Sequence, residues 1–386
     1  MKKVGIVTLH FSVNFGATLQ CLALTETLKK MGFDSKVINY YPKYAKYYWE
    51  PKKTYLSAIK DSIASKKRIE DTDETRNSLF ILTCLKSFKH VHFENKRSAI
   101  YKKKYKAFKD FQNKYIPLTK EYEHKTDLNE LAFDVLVTGS DQVWNSNYTN
   151  FSLDEVYFLK FGCKDAKRIS YAASTHFFKN NDYWDRVLSL LSGFDRISLR
   201  EKNICDKINK LNPDIEAQVV LDPTLLLTAD EWVKFEKNIE LSEKYILCYS
   251  LRESQLCQYY INKYIGQESV KIIDISPNKF VNGAIWMGDC APDVFLYLVH
   301  HADMVITDSF HGTVFSILYN KKFLSITNTN SDTRIKDILS ALDLEDRLKN
   351  DRAEFPKEKI NYSVINDKLK DMRRGSIDFL KQGLEY

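Results

Sequence analysis

Thr307-Asp308-Ser309-Phe310-His311-Gly312 joins an apolar strand-like run, Met304-Val305-Ile306, to an apolar helix-like run that begins at Thr313. A strand that ends in polar residues, one histidine and a glycine, and then opens a helix is where α/β folds place ligand chemistry. His311 can move a proton near neutral pH without large tuning. Gly312 lets backbone approach an anion, and N–H groups around Thr313 favour negative charge. The alternative is a polar strand-end histidine hydrogen-bonded into its own turn.

Two further charged residues stand at strand ends. Arg200 follows Ile197-Ser198-Leu199 and precedes an expected helix Glu201–Leu211, a position from which its fork can grip phosphate or carboxylate. It could equally form a structural ion pair with Glu201 or Asp222. Asp141 follows the strand Asp134–Thr138 and the turn Gly139-Ser140. Its carboxylate could take a proton or hydrogen bond from a hydroxyl, or cap a helix. Trp144 could stack on a sugar face or serve as a core wedge.

The elements that must carry these residues alternate. Strand Lys3–Leu9, loop His10–Asn14, helix Ala17–Met31 closed by Gly32, and strand Ser35–Tyr40 make a βαβ unit and predict a parallel sheet. The alternation weakens from about Tyr41 to Tyr122, where Lys86–Lys114 is crowded with base, and resumes at Asp134. A second series follows Asp222-Pro223-Thr224: strand Tyr245–Ser250, helix Gln255–Tyr264, strand Lys271–Ile275, helix Pro292–His301, strand Met304–Thr307, helix Thr313–Asn320 and strand Phe323–Ile326. The expected architecture is α/β, two Rossmann-like domains facing a cleft. Residues 1–228 form the first, with a basic helical insertion at about 41–122, read as surface helices. Residues 229–350 form the second with the histidine, and residues 351–386 form a helical tail packing back on the first.

The composition narrows the partners. At 386 residues the chain exceeds one usual core, and 44% hydrophobic residues suffice for two. A net charge of +7 is too mild to imply nucleic acid but suits anionic ligands or an anionic membrane face. Seven scattered cysteines without a C-x-x-C pair read as reduced thiols of a cytoplasmic protein. No apolar run reaches membrane-spanning length. The adjacent His300-His301 suit a helix C-terminus, and no histidine has carboxylate or cysteine companions at a metal spacing, so no metal is expected.

Five segments, in order, resemble one family, the polysaccharide pyruvyl transferases. They are Asn14-Phe15-Gly16-Ala17-Thr18-Leu19-Gln20; Gly139-Ser140-Asp141-Gln142-Val143-Trp144-Asn145; Ser170-Tyr171-Ala172-Ala173-Ser174; Ser198-Leu199-Arg200-Glu201 with Leu221-Asp222-Pro223-Thr224; and Thr307–Gly312. The resemblance implies a GT-B-like fold and transfer of pyruvate from phosphoenolpyruvate to two sugar hydroxyls as a cyclic ketal, with no cofactor. The acceptor would be a polysaccharide or lipid-linked glycan precursor, which suits an enzyme at the inner face of the membrane. His311 and Asp141 are then the expected catalytic pair. Arg200, Gly312, Thr313, Ser309, Arg252 and Arg334 would bind the donor, and Asn14, Gly16, Trp144, Asn145, Tyr171 and Ser174 the acceptor. Many family members carry arginine where this chain has Ser309, although the Asp-Ser-Phe-His form recurs among them; Arg252 or Arg334 could supply that cation. The shared fold leaves two alternatives, a nucleotide-sugar glycosyltransferase and a non-catalytic binding member of a glycan assembly complex.

Overall fold

The computed structural model describes residues 1–51, 99–149, 152–176, 181–241, 243–266, 270–327, 333–356 and 358–385. The first sheet contains β1 (Lys3–Val7), β2 (Asp34–Tyr40), β3 (Leu118–Tyr122), β4 (Val135–Thr138) and β5 (Lys167–Ser170), in the order β3-β2-β1-β4-β5. A short pair, β6 (Ser198–Leu199) and β7 (Gln218–Val219), lies beyond β5, linked to it through the Ile169–Arg196 bridge. The second sheet contains β8 (Tyr245–Tyr249), β9 (Lys271–Asp274), β10 (Ile285–Trp286), β11 (Met304–Thr307), β12 (Lys322–Ile326) and β13 (Leu348–Lys349), in the order β10-β9-β8-β11-β12-β13. Every pairing in the two sheets is parallel. The two parallel α/β sheets are thus present as expected. Central strands such as β4 and β11 are buried along their whole length, which is why they read as continuous apolar runs rather than alternating ones.

Each sheet reverses strand order beside its first strand, at β1/β4 and at β8/β11, and such switch points open a crevice beyond the strand C-termini. The helices α1 (Phe15–Lys30), α2 (residues 99–115), α3 (Lys202–Leu211), α4 (Pro292–His301), α5 (Phe310–Leu318), α6 (Thr333–Ala341) and α7 (Tyr362–Leu384) surround them. Asn14 caps α1 by accepting from the Ala17 N–H at 3.2 Å. The helix ends at Met31 because Gly32, with φ +86°, turns the chain in a conformation open to glycine. α1 is buried on most of its surface, since it packs on its own sheet and on the second domain. Phe15 stacks on Phe295 of α4 at 4.5 Å and meets Tyr249 edge-on at 5.5 Å. One continuous apolar cluster therefore runs through both domains.

Two segments differ from the expectation. Leu118–Tyr122, read as part of the insertion, is the edge strand beside β2. α2 is not a surface helix: Phe108, Phe111 and Gln112 are buried, and Gln112 Nε2 donates to the His10 carbonyl at 2.7 Å. Its lysines reach the second domain, where Lys103 pairs with Asp289 at 2.7 Å. Lys104 lies 5.0 Å from the Phe15 ring centroid, and burial lowers its pKa. Residues 52–98, the rest of the basic insertion, lie outside the described residues.

α7 crosses back to the first sheet. Ser376 Oγ accepts from the Leu221 N–H at 3.0 Å, Arg373 Nε donates to the Leu225 carbonyl at 2.8 Å, and Lys2 Nζ donates to the Leu384 carbonyl at 3.0 Å. No helix among the described residues is long and apolar enough to cross a membrane.

Candidate active site

The two switch points face one another. α5 begins at Phe310 rather than Thr313 because Ser309 is its N-cap, accepting from the Gly312 N–H at 3.4 Å. His311 therefore stands inside the first helical turn, and its ring reaches across to the first domain. A Cβ on Gly16 would fall 1.9 Å from His311 Nδ1, so only glycine leaves room for the imidazole. On its other edge, His311 Nε2 lies 3.7 Å from Asp222 Oδ2, an ion-pair distance too long for a hydrogen bond.

Asp222 is the hub. It is fully enclosed, and its Oδ2 accepts from Arg200 Nη1 at 2.7 Å and from Ser140 Oγ at 3.1 Å. Its Oδ1 caps the turn Pro223–Leu225, accepting from the Thr224 N–H at 3.0 Å and the Thr224 hydroxyl at 2.7 Å. Burial works against its ionisation. His311, Arg200 and the Thr224 bonds outweigh burial and hold the carboxyl well below the usual range. Arg200 shows the same balance. Burial opposes its charge, but Glu201, Asp222 and Asp141 raise its pKa above the ordinary value.

Arg200 makes both ion pairs considered from the sequence, with Asp222 and, at 3.4 Å through Nε, with Glu201. Its third nitrogen is different. Arg200 Nη2 and His311 Nε2 are buried and have no hydrogen-bond partner among the described residues. Buried donors left unpaired in this way cost about 1–3 kcal/mol each, more when charged. An anion held by both would remove that cost.

Beside them opens a cavity of about 560 Å³ between the first domain, α6 and α7, with Arg200, Leu221, Asp222, Phe310, Arg334 and Met372 in its wall. The Arg200 and Arg334 guanidinium carbons lie 5.0 and 5.9 Å from the Phe310 ring centroid. Phe310 thus holds two cations around one apolar plate.

Other expected site residues are placed elsewhere. Trp144 is enclosed, donates Nε1–H to the Tyr157 carbonyl at 2.9 Å and stacks on Phe158, so it has no open face for a sugar. Tyr171 is equally enclosed, its hydroxyl donating to the Leu221 carbonyl. Ser174 donates to Glu201 at 2.6 Å, and Asn145 donates to Gln142 and caps the next turn. These four side chains are buried and committed to bonds within the protein. Gly312 is small because a Cβ would meet Thr307 Oγ1 at 2.3 Å, and its N–H is taken by Ser309. The Thr313 N–H is taken by the Ser309 carbonyl. That turn is therefore not the open anion cradle expected.

Asp141 adopts φ 84°, accepts from the Gln142 N–H at 2.8 Å and makes no hydrogen bond or ion pair with His311 among the described residues. Arg252 is exposed, its backbone N–H directed to Asp308 at 3.3 Å. The sequence offers Asp222 as a possible ion-pair partner of Arg200 and within the Asp-Pro-Thr turn, and the structure forms that pair. Nothing in the local sequence signals its approach to His311.

Two parallel α/β sheets thus meet at an enclosed Arg–Asp–His group with a cavity beside it, a two-domain α/β protein of GT-B-like fold. The model of the polysaccharide pyruvyl transferase family matches residues 14–330, and the chain belongs to that family. No curated protein matches it. Among solved structures it is similar to UDP-GlcNAc 2-epimerase from Neisseria meningitidis, at 12% identity, 100% of this chain, 94% of the other and a TM-score of 0.45. It is also similar to the Methanocaldococcus jannaschii UDP-GlcNAc 2-epimerase, at 13% identity, 97% and 93% coverage and a TM-score of 0.44. MurG from Acinetobacter baumannii is similar over 99% of this chain and 100% of the other, at 8% identity and a TM-score of 0.37. Likeness at this level is loose and decides nothing about activity.

Proposed function

We propose that this transferase moves pyruvate from phosphoenolpyruvate onto two hydroxyls of a sugar in a glycan precursor, forming a cyclic ketal and releasing phosphate. The observation that carries this reading is the pair of buried, unpartnered nitrogens, Arg200 Nη2 and His311 Nε2, gathered around Asp222 at the domain junction. The donor carries two anionic groups, and the chain offers Arg200 and Arg334 in the wall of one cavity; Arg334 serves in place of the cation missing at Ser309.

His311 Nε2 gives its proton to the donor methylene carbon. C2 becomes electron-poor, one sugar hydroxyl attacks it, and the C2–O bond to phosphate breaks. The second hydroxyl then closes the ketal. Of the two hydroxyl protons, one restores His311 and the other leaves with phosphate. Asp222 keeps the ring oriented and stabilises it while charged. Asp141 takes the second hydroxyl proton in transit and passes it to the departing phosphate, while Asn14 and Gly16 shape the wall. A lipid-linked acceptor would bring the enzyme to the inner membrane face. Lys104 is enclosed and the exposed Lys103 is paired with Asp289, so lipid contact would fall mainly to other lysines.

The test is phosphate release from phosphoenolpyruvate with an acceptor panel, read with mass spectrometry for one pyruvate less one water. Turnover that disappears in His311→Ala, with folding retained, supports the assignment. Full activity in that variant overturns it, as does stabilisation by a uridine diphosphate sugar but not by phosphoenolpyruvate. Tight donor binding without product for any acceptor would indicate a binding member.

A further inference from the structure

α4 ends in His300-His301, which the sequence presents without companions. Folding supplies one. Glu236, in the segment joining the first domain to β8, sits against this helix end. His300 Nδ1 lies 2.9 Å from Glu236 Oε1 and 3.2 Å from Oε2, and His301 Nε2 lies 3.7 Å from Oε2. One ligand atom from each residue falls within 4.8 Å of the other two. A tetrahedral ion with bonds near 2.0–2.1 Å needs roughly 3.3 Å between ligand atoms, so small side-chain rotations suffice.

We propose that Glu236, His300 and His301 form a binding site for a divalent transition ion of the zinc class, separate from the Arg200–Asp222–His311 group.

Two imidazoles and one carboxylate are the ligand set such ions take, and the site leaves a position open to water. The Glu236 side chain is 8% exposed, whereas those of His300 and His301 are 33% and 46% exposed, so an ion can enter from solvent onto a carboxylate already in place. The rings are also set. His300 stacks on Tyr319 at 4.5 Å, and His301 stacks on Tyr297 at 4.2 Å. Both histidines lie in the last turn of α4, where the helix dipole favours a cation. Lys321, donating to the His300 carbonyl, is a nearby charge that opposes a cation. A bound ion would clip the interdomain connection to the second domain.

The test uses the full-length protein stripped with chelator and exchanged into chelator-free buffer. Zinc is titrated against a chromophoric competitor, and thermal unfolding is followed with and without zinc. The expected result is one zinc per chain at micromolar Kd, a rise in Tm, and no comparable response to magnesium. Glu236→Gln and His301→Ala, each checked for native circular dichroism, should bind at least about tenfold more weakly and lose the Tm response. Binding unchanged in both variants would overturn the site, as would no stoichiometric binding below about 100 µM or equal binding of magnesium.

Discussion

Gly16 of the first domain and His311 of the second approach so closely that a single methyl group on Gly16 would lie 1.9 Å from Nδ1 of the imidazole. Alanine is the better helix former by roughly 0.5–1 kcal/mol, so helix propensity alone would favour Gly16→Ala. The overlap decides otherwise. His311 must move, and displacement of about 1 Å at a reacting group can cost on the order of a hundredfold in rate. Gly16→Ala should therefore lose about two orders of magnitude in kcat while Tm stays within a few degrees. Wild-type turnover in this variant would remove His311 from the chemistry.

Asp222→Asn should destabilise the fold by about 3–5 kcal/mol at neutral pH, because Arg200 would keep a buried charge with no hub carboxylate. The pH dependence gives a second check. Because the folded-state pKa of Asp222 is depressed, its contribution is present above the unfolded value near 4 and fades as pH falls below it. The stability gap between wild type and variant, from urea unfolding, should be widest at neutral pH and narrow below about pH 4.

Arg334→Gln should raise the phosphoenolpyruvate KM by about 10- to 100-fold, the worth of one charge-assisted hydrogen bond, with little change in Tm. Arg252→Gln should leave KM within twofold. The reverse pattern in steady-state kinetics would move the second donor cation to the β8 loop.

His10 is enclosed, with Nδ1 donating to the Thr8 carbonyl at 3.1 Å and Nε2 facing the Asn39 amide at 2.9 Å. Burial lowers its pKa to about 4. A lowered folded-state value means the neutral ring stabilises the fold above the unfolded pKa near 6.5, and this is lost as pH falls toward 4. The loss is about 3 kcal/mol. Histidine NMR titration should show one ring protonating near pH 4; a value near 6.5 for His10 would contradict the burial argument.

Trp144→Phe should cost about 1–3 kcal/mol through the lost bond to the Tyr157 carbonyl and looser packing on Phe158. Acceptor KM should not change. A large KM rise without destabilisation would return Trp144 to the sugar site.

Local order was legible in the sequence. Pro292–His301 and Met304–Thr307 form over the expected residues, because a helix-starting proline and an unbroken apolar run are short-range signals. His311, Arg200 and the two-sheet alternation were visible for the same reason. α5 starts three residues before the apolar run that suggests it, because Ser309 caps the helix.

What only the tertiary structure decided is which strand ends meet. Phe15 stacking on Phe295 brings Gly16 against His311, and the loop after β7 carries Asp222 between Arg200 and the ring. The same packing buries Trp144 and Tyr171, whose aromatic character reads alike in a core and in a sugar site. It also turns a basic helix into a strut and gives the isolated His300-His301 pair its carboxylate. Periodicity and capping act over a few residues and are written in local sequence. Contacts between residues tens of positions apart depend on how two sheets pack, and no spacing along the chain encodes that.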